Sequence, residues 1–308
     1  MRFTIPLVAL VLLSPTITGN AAQDHRSKGG SSLAGLLRQQ TAARLEQVAR
    51  GVDGVIGYSI VDLTSGERFD YQPDLVSPTA STIKVAILYE LMRAADEGRV
   101  KLDDTRALDR RRAVPGGLLH EMDTPTLSLR DYAVAMAVLS DNTATNVLIE
   151  LLGMEAITAR MHGLGLKETR LRRYMIDLEA AKRGNENVST PAEIARLLEA
   201  LYRGTGLTPA AREEALKILK KEKVPLTAMA KPLPPGVELA SKPGELEGVR
   251  VDAGIVYAKN RPYVFSAMTT YLADDAAGEK AIEDLSRVAY GYFSRMGAGS
   301  EYGRQIGR

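Results

Sequence analysis

Ser81 and Lys84 are the residues in this chain whose types and spacing most directly suggest chemistry. They lie in the stretch Ser-Thr-Ile-Lys, and the apolar run that follows predicts a helix starting here. Residues three apart on a helix share a face, so the lysine amine can reach the serine hydroxyl. The positive end of the helix dipole favours an alkoxide on Ser81 and disfavours a protonated Lys84. The pattern predicts a nucleophilic serine with a lysine base. An N-capping serine followed by a surface lysine is the alternative.

Two later tripeptides could complete such a site. Ser-Asp-Asn at 140–142 falls at the break between two predicted helices, and Lys-Pro-Gly at 242–244 opens the strand region near the C-terminus. Each tripeptide alone is typical of an ordinary turn, with helix capping or a solvated strand end as its role. Together with Ser81 and Lys84, in this order, they predict a single site in a cleft between two lobes.

Hydrophobic periodicity predicts the elements that must position these residues. Strands are expected near both ends of the chain and helices between them. We therefore predict an α/β (α+β) fold, with a mostly antiparallel sheet built from both termini, flanking helices and an inserted all-helical lobe at about 85–220. The predicted segments are a helix that starts at 33 and stops at Gly51, a hairpin at 55–71, strands at 250–257 and 263–272, and a last helix at 278–293.

The two ends of the chain have the composition of targeting and linker segments. A positive residue, a short apolar stretch and small residues near Ala21 predict a signal peptide over 1–22. A polar, Gly/Ser-rich leader is expected at 23–32, the catalytic domain at 33–296 and a tail at 297–308. No later apolar run is long enough to cross a bilayer. We therefore expect a secreted or periplasmic protein without stable membrane association.

Composition excludes several classes of function. The 308 residues carry 40 Lys and Arg against 38 Asp and Glu, and a net charge of +2 argues against a nucleic-acid partner. The chain has no cysteine, which excludes thiol catalysis and disulfides, and its three histidines are scattered. We expect no metal and no cofactor, a small-molecule substrate and a monomer.

At these motifs the chain resembles the penicillin-recognising serine hydrolases, and specifically the class A β-lactamases. The resemblance covers nearly the whole chain after the predicted signal peptide. It is strongest over three stretches, which are residues 80–85, 140–146 and 233–256. It implies a sheet domain beside an all-helical domain, in agreement with the elements predicted from periodicity.

The resemblance implies a role for each motif residue. Ser81 would attack the amide carbonyl and become acylated, while Lys84 takes or relays its proton. Ser140 would pass a proton to the departing nitrogen. Asn142 would hold Lys84 and the substrate's side-chain amide. Lys242 would supply a cation near Ser140 and the substrate carboxylate.

One departure from the family pattern lies in the strand that carries Lys242. The resemblance places the oxyanion hole at the backbone N–H groups of the nucleophile and of Glu245, next to Gly244. Pro243, however, stands where the family has threonine or serine, which removes a hydroxyl that binds the substrate carboxylate. Proline is tolerated on an edge strand, where we expect it. Ser241 and Arg250 are candidates to compensate, and a structural role for Arg250 on its strand is the alternative.

The second departure concerns release of the acyl group. The family has a glutamate that activates the hydrolytic water, and Met175 occupies that position here. A thioether cannot accept the proton. Glu179 could act as a substitute base. The alternative is that Asp177 and Glu179 pair with arginines 172, 173 or 183 to hold the loop.

Three functions are compatible with these residues. The leading hypothesis is an exported class A β-lactamase-like hydrolase that opens a cyclic amide through an acyl-serine, with slow deacylation. A D,D-peptidase or esterase on the same machinery is the second. A β-lactam or peptidoglycan-fragment-binding protein that is acylated and holds its ligand is the third.

Overall fold

The computed structural model describes residue 1 and residues 32–305. The predicted signal segment, apart from Met1, the leader up to residue 31 and the last three residues lie outside the described residues. From Leu33 onward the chain forms one unit. Its helices are α1 (Leu33–Arg50), α2 (Lys84–Asp96), α3 (Leu129–Val138), α4 (Asn142–Leu152), α5 (Met154–Gly163), α6 (Leu178–Lys182), α7 (Pro191–Arg203), α8 (Pro209–Lys220) and α9 (Asp275–Ala298).

A five-stranded antiparallel sheet joins the two ends of this unit, in the order β2-β1-β9-β8-β7. The strands in chain order are β1 (Val55–Asp62), β2 (Arg68–Tyr71), β3 (Ser77–Pro78), β4 (Thr105–Ala107), β5 (Thr126–Ser128), β6 (Val188–Ser189), β7 (Leu239–Leu246), β8 (Val249–Val256) and β9 (Tyr263–Thr270). The short strands form two separate pairs, β3 with β6 and β4 with β5. The predicted fold class and the sheet built from both ends are confirmed.

The two faces of the sheet bury different sets of side chains, because successive residues of a strand point to opposite faces. One face packs under α1 and α9. The other face packs against the helical region between β2 and β7, with α2 buried on nearly all sides. Lys242 and Gly244 of β7 alternate with Pro243, and Pro243 lies opposite Asp252 of β8. Asp252 therefore shares the face of Pro243, which is the α1 and α9 side.

Local capping explains where several helices begin. The side chains of Thr190 and Thr208 each accept a hydrogen bond from the backbone N–H three residues later, and a proline follows each threonine at the first helical position. Gly204 ends α7 in the left-handed conformation. These are the signals that make helices α7 and α8 readable from the sequence.

Two elements differ from the prediction. Ser81 lies in a 3₁₀ turn, Ala80–Ile83, and the α-helix begins only at Lys84. The stretch after residue 173 contains the short helix α6, which is not among the predicted segments. Pro243 lies on β7, at the edge of the sheet, as predicted. No helix within residues 32–305 has the length and apolar character needed to cross a membrane.

Candidate active site

The 3₁₀ turn between β3 and α2 presents Ser81 to a cleft. Its neighbours Ala80, Thr82 and Ile83 are buried, whereas Ser81 is partly exposed. Thr82 Oγ1 donates to the carbonyl oxygen of Lys242 at 3.2 Å, which ties the turn to β7. Ala80 has a φ of +46°, an uncommon conformation for a residue with a Cβ. This strain lies directly before the candidate nucleophile, as it does at many functional sites.

Lys84 is the first residue of α2 and only 1% exposed. Its Nζ donates to the Ser140 carbonyl oxygen at 2.7 Å, to Ser140 Oγ at 3.0 Å and to Asn142 Oδ1 at 3.0 Å. Burial lowers the pKa of Lys84 well below its usual value, and the positive charge of Lys242 lowers it further, against an opposing effect of Asp141. The site therefore favours a neutral amine, which can accept a proton.

Ser140 lies between α3 and α4, and its hydroxyl is shared by two lysines. Lys84 Nζ and Lys242 Nζ each lie 3.0 Å from Ser140 Oγ. When both amines donate to this oxygen, its own proton must point away from both of them. Ser140 has a φ of +53°, so its backbone is held in an uncommon conformation here. The geometry suits a hydroxyl that hands a proton to a bound molecule.

Lys242 approaches this group from β7. It is 1% exposed, and its Nζ also donates to the carbonyl oxygen of Pro243 at 2.8 Å. Burial lowers the pKa of Lys242 to about 7, and the charge of Lys223 acts in the same direction, whereas Asp252 and Glu245 oppose it. Lys242 thus titrates near neutral pH.

Gly244 allows β7 to lie against the turn that carries the nucleophile. A Cβ at this position would be 2.8 Å from both the Ser81 backbone nitrogen and the Thr79 carbonyl oxygen. Only glycine permits this approach without moving backbone. The Ser81 amide therefore lies against the strand whose next residue is Glu245, where the second N–H of an oxyanion hole is expected.

A wall of the cleft that sequence reasoning missed is formed by the loop at 114–119. Asn142 donates from its backbone nitrogen to Gly116 O and from Nδ2 to Pro115 O, both at 2.9 Å. A Cβ on Gly117 would be 2.3 Å from Asp141 Oδ2, and one on Gly116 would be 2.5 Å from Asn142 Nδ2. The Pro-Gly-Gly stretch was the available signal, since adjacent glycines permit close backbone approach.

Met175 is held in the loop after α5 by its own backbone. Its nitrogen donates to Asn146 Oδ1 at 2.8 Å, and Asn146 Nδ2 donates to its carbonyl oxygen at 3.2 Å. The side chain is 7% exposed and belongs to the main core. This position therefore offers a thioether in place of a proton-accepting group.

The two carboxylates that follow do not join this group. Asp177 caps α6, where its Oδ1 accepts from Ala180 N at 2.9 Å. Glu179 is 71% exposed and pairs with Lys182 at 2.9 Å. It lies in the first turn of a surface helix, which directs its carboxylate to solvent. The structure therefore does not bring Glu179 to Ser81.

The alternative for this loop, pairing of Asp177 or Glu179 with arginines 172, 173 or 183, is not seen among the ion pairs of the described residues. Arg173 pairs with Glu186 at 2.8 Å, and Arg172 donates to Asn185 Oδ1 at 3.2 Å. Neither Arg172 nor Arg173 forms an ion pair with Asp177 or Glu179. Asp177 caps α6, and Glu179 pairs with Lys182.

Arg250 and Ser241, the candidates to replace the missing hydroxyl, are both largely buried. Arg250 is largely buried, and its guanidinium pairs with Asp275 at 3.0 Å and Glu279 at 3.2 Å at the start of α9. Ser241 is buried on the same face of β7 as Pro243. The structure thus supports the alternative interpretation of Arg250, which is a structural one.

No group of three or more His, Cys, Asp or Glu side chains that could hold a metal ion occurs among the described residues. The arrangement of Ser81, Lys84, Ser140 and Lys242 can instead support acyl transfer by a serine nucleophile with an amine base. A substrate for this reaction would have an amide or ester carbonyl and a leaving group that needs a proton.

Several known proteins are similar to the chain along most of its length. An imipenem-hydrolyzing β-lactamase from Enterobacter cloacae is 29% identical over 249 residues, which cover 77% of this chain and 84% of that protein. The crystal structure of a β-lactamase from Sphaerobacter thermophilus has a TM-score of 0.74 and 31% identity, covering 81% of this chain and 97% of that one.

A further solved structure is a PBP-A variant described as an acyl-enzyme complex with penicillin G. It has a TM-score of 0.75 and 30% identity, and the match covers 84% of this chain and 96% of that one. The sequence model of the Beta-lactamase enzyme family matches residues 40–293, which include every motif residue of the cleft. The chain belongs to the β-lactamase enzyme family.

Proposed function

We propose that this protein is a class A-type serine hydrolase that opens a β-lactam amide through an acyl-Ser81 intermediate. One observation carries the proposal. The Ser140 hydroxyl lies 3.0 Å from each of two buried lysine amines, Lys84 and Lys242. A structural cluster would gain little from burying two lysines without carboxylate partners, because each buried charge is costly. A proton-transfer site gains from it, because burial lowers their pKa values.

Acylation begins when the neutral amine of Lys84 takes the proton of the Ser81 hydroxyl. The Ser81 oxygen attacks the amide carbonyl, and the oxyanion that forms is held by the backbone N–H groups of Ser81 and Glu245. Ser140 gives its proton to the β-lactam nitrogen as the carbon–nitrogen bond breaks, and it is reprotonated from Lys84. The product is an ester on Ser81.

Deacylation is the slow half of the reaction in this proposal. Met175 supplies no base at the position where the class A enzymes carry glutamate, and Glu179 is exposed and paired with Lys182. Loss of a general base typically costs about 10²–10⁴ in rate. We therefore expect the acyl group to persist on Ser81 far longer than in an efficient β-lactamase.

Carboxylate recognition is expected to be weak. Pro243 provides neither a hydroxyl nor a backbone N–H, and the Arg250 guanidinium is occupied by Asp275 and Glu279. A hydrogen bond to a charged group contributes about 1.5–3 kcal/mol. In this proposal Lys242 supplies the cation for an anionic substrate.

A D,D-peptidase or esterase on the same machinery is the second candidate function, and Met175 favours it. Such an enzyme would form a persistent adduct with penicillin, whereas it would turn over its own peptide or ester substrate. The similarity to PBP-A, a variant of which is described as an acyl-enzyme with penicillin G, supports this candidate. A ligand-holding protein would also form the adduct but would not turn over peptides or esters.

We further propose that the catalytic domain spans 33–296, with the helical lobe at about 85–220, and that the protein is an exported monomer. The predicted signal peptide supports export. Size-exclusion chromatography and N-terminal sequencing of the secreted protein test both points. Retention of residues 1–22 in the mature protein would contradict export by cleavage.

Intact-protein mass spectrometry with benzylpenicillin, together with steady-state turnover, tests the function. We expect an adduct with the mass of the intact penicillin within seconds, its absence in Ser81→Ala, and slow loss of the adduct. Rapid turnover without an observable adduct would contradict slow deacylation. Absence of an adduct would overturn the β-lactam proposal. Turnover of D-alanyl-D-alanine peptides or of a thioester would favour the second function.

A further inference from the structure

Three lysines are buried in and behind the cleft, and this number of buried lysine side chains is unusual. Lys84 and Lys242 are each 1% exposed, and Lys223 is 8% exposed. Within residues 32–305, none of the three forms an ion pair with a carboxylate. Lys223 Nζ donates instead to the carbonyl oxygen of Leu219. Among the described residues, no carboxylate in direct contact therefore stabilises the protonated form of any of the three amines.

Asp252 is a buried carboxylate on β8, the strand next to the one that carries Lys242. It lies on β8 directly opposite Pro243, whose carbonyl oxygen accepts the hydrogen bond from Lys242. Asp252 Oδ2 accepts from the backbone nitrogen of Met229 at 2.9 Å. Its Oδ1 has no hydrogen-bond partner in the part of the chain that the structure describes. The carboxylate is thus buried behind Lys242 and only half satisfied.

Lys223 reaches the same region from the end of α8. It lines a cavity of about 430 Å³ on the outer side of β7, together with Thr227 and Ser241. Ser241 is on the face of β7 that Pro243 and Asp252 share. One buried cation and one buried anion therefore lie behind the edge strand that carries Lys242, on the side opposite Ser81.

Charge interactions in a buried region act over longer distances than at the surface. Lys223 lowers the pKa of Lys242, and Asp252 raises it. The other charged groups around Lys242 are Lys84 on α2 and Glu245 on β7, and Asp141 at the start of α4 acts on Lys84. Lys223 and Asp252 lie on the side of β7 opposite Ser81, so they can be changed without removing a residue of the proposed catalytic machinery.

We propose that Lys223 and Asp252 are positioning residues that act from the outer face of β7 and β8 to set the charge of Lys242. Through this charge they determine the pH range in which the cleft accepts an anionic substrate. The second statement rests on the proposed function, whereas the first does not.

NMR titration of the full-length mature protein with ¹³Cε-labelled lysine tests the first statement. The Lys242 signal is identified as the one absent from Lys242→Arg. We expect Lys223→Met to raise the titration midpoint of Lys242 and Asp252→Asn to lower it, each by about one pH unit. Lys221→Met, which removes an exposed lysine at the mouth of the same cavity, is the matched control and should leave the midpoint unchanged.

Opposite shifts separate this proposal from a merely structural role, because damage to packing would move both variants in one direction. The proposal is overturned if neither midpoint moves further than in Lys221→Met, or if both move the same way. Near-UV circular dichroism establishes that each variant is folded, and Lys223→Gln replaces Lys223→Met if that variant is not.

The KM for benzylpenicillin, measured from pH 5.5 to 9, tests the second statement. Its rise with pH should move to higher pH in Lys223→Met and to lower pH in Asp252→Asn. Unmoved KM profiles with moved NMR midpoints would overturn the link to substrate while leaving the charge relationship established. If no penicillin adduct forms at all, the proposed function fails and the NMR result still decides the first statement.

Discussion

Lys84 Nζ donates to both oxygens of Ser140, at 2.7 Å to the carbonyl and at 3.0 Å to the hydroxyl. The carbonyl contact holds the amine in place whatever the hydroxyl does, so the side-chain contact is available for proton exchange. Both oxygens of Ser140 thus lie within hydrogen-bond distance of the first residue of α2. Within Ser140, the carbonyl oxygen therefore positions the Lys84 amine, and the hydroxyl is left to exchange protons.

Ser140→Ala should therefore abolish proton donation by the hydroxyl while Lys84 stays in place. The carbonyl contact with Lys84 survives in alanine, whereas the hydroxyl that donates to the leaving nitrogen is lost. We expect the acylation rate to fall by about 10²–10⁴ with little change in the melting temperature. Stopped-flow acylation by a chromogenic cephalosporin measures the rate, and an unchanged rate would remove Ser140 from the proposed mechanism.

The charge of Lys242 predicts an alkaline limit to substrate binding. Its pKa is lowered to about 7, chiefly by burial, so the ammonium is present below that pH and is lost as the pH rises through it. The KM for a carboxylate-bearing β-lactam should rise above about pH 7. In Lys242→Arg the guanidinium remains charged to high pH, so the KM should become nearly independent of pH over this range. A wild-type KM that is constant from pH 6 to 9 would contradict this assignment.

Gly244→Ala should disturb the site through its backbone. The new Cβ would lie 2.8 Å from the Ser81 nitrogen and the Thr79 carbonyl oxygen, so β7 or the turn must shift. We expect kcat/KM for acylation to fall about 10²–10³-fold, as when an oxyanion donor is lost, and stability to fall by about 1–3 kcal/mol.

Gly291→Ala is the matched control for this substitution. A Cβ at Gly291 in α9 meets nothing within 4 Å. Alanine in a helix interior stabilises relative to glycine by about 0.5–1 kcal/mol, and acylation should be unchanged. Stability is measured by chemical denaturation and activity by acylation kinetics. Equal effects of the two substitutions would show that the protein accommodates a Cβ at position 244 without loss of stability or acylation rate.

Met175→Glu should accelerate release of the acyl group. It restores a carboxylate where the class A enzymes carry one, and the low exposure of this position raises the pKa of a carboxyl towards the range of a useful base. We expect the adduct on Ser81 to disappear at least about tenfold faster, followed by mass spectrometry.

Glu179→Gln is the companion variant for Met175→Glu. Because Glu179 is exposed and paired with Lys182, its loss should leave deacylation unchanged. Slower release in Glu179→Gln would reinstate Glu179 as the substitute base. If Met175→Glu releases the acyl group no faster than the wild type, a carboxylate at position 175 does not activate the hydrolytic water.

Most long elements of the fold could be predicted because their signals are local. The Thr-Pro starts at 190–191 and 208–209 are read directly from adjacent residues. The edge position of Pro243 also followed from one residue, since proline cannot take part fully in a central strand. The 3₁₀ turn at Ser81 and helix α6 were not predicted, because each depends on contacts with distant segments such as β7 and α4.

For the candidate site too, the residue types could be predicted from the sequence, whereas their surroundings could not. The types and order of Ser81, Lys84, Ser140 and Lys242 were sufficient to predict an acyl-serine site, because the chemistry depends on which groups are present. The sequence alone also determined that Met175 provides no base. Orientation and burial were decided only by the tertiary structure. It turns Glu179 to solvent, ties Arg250 to α9 and buries Lys223 and Asp252 behind β7, because exposure and electric field depend on residues far apart in the chain.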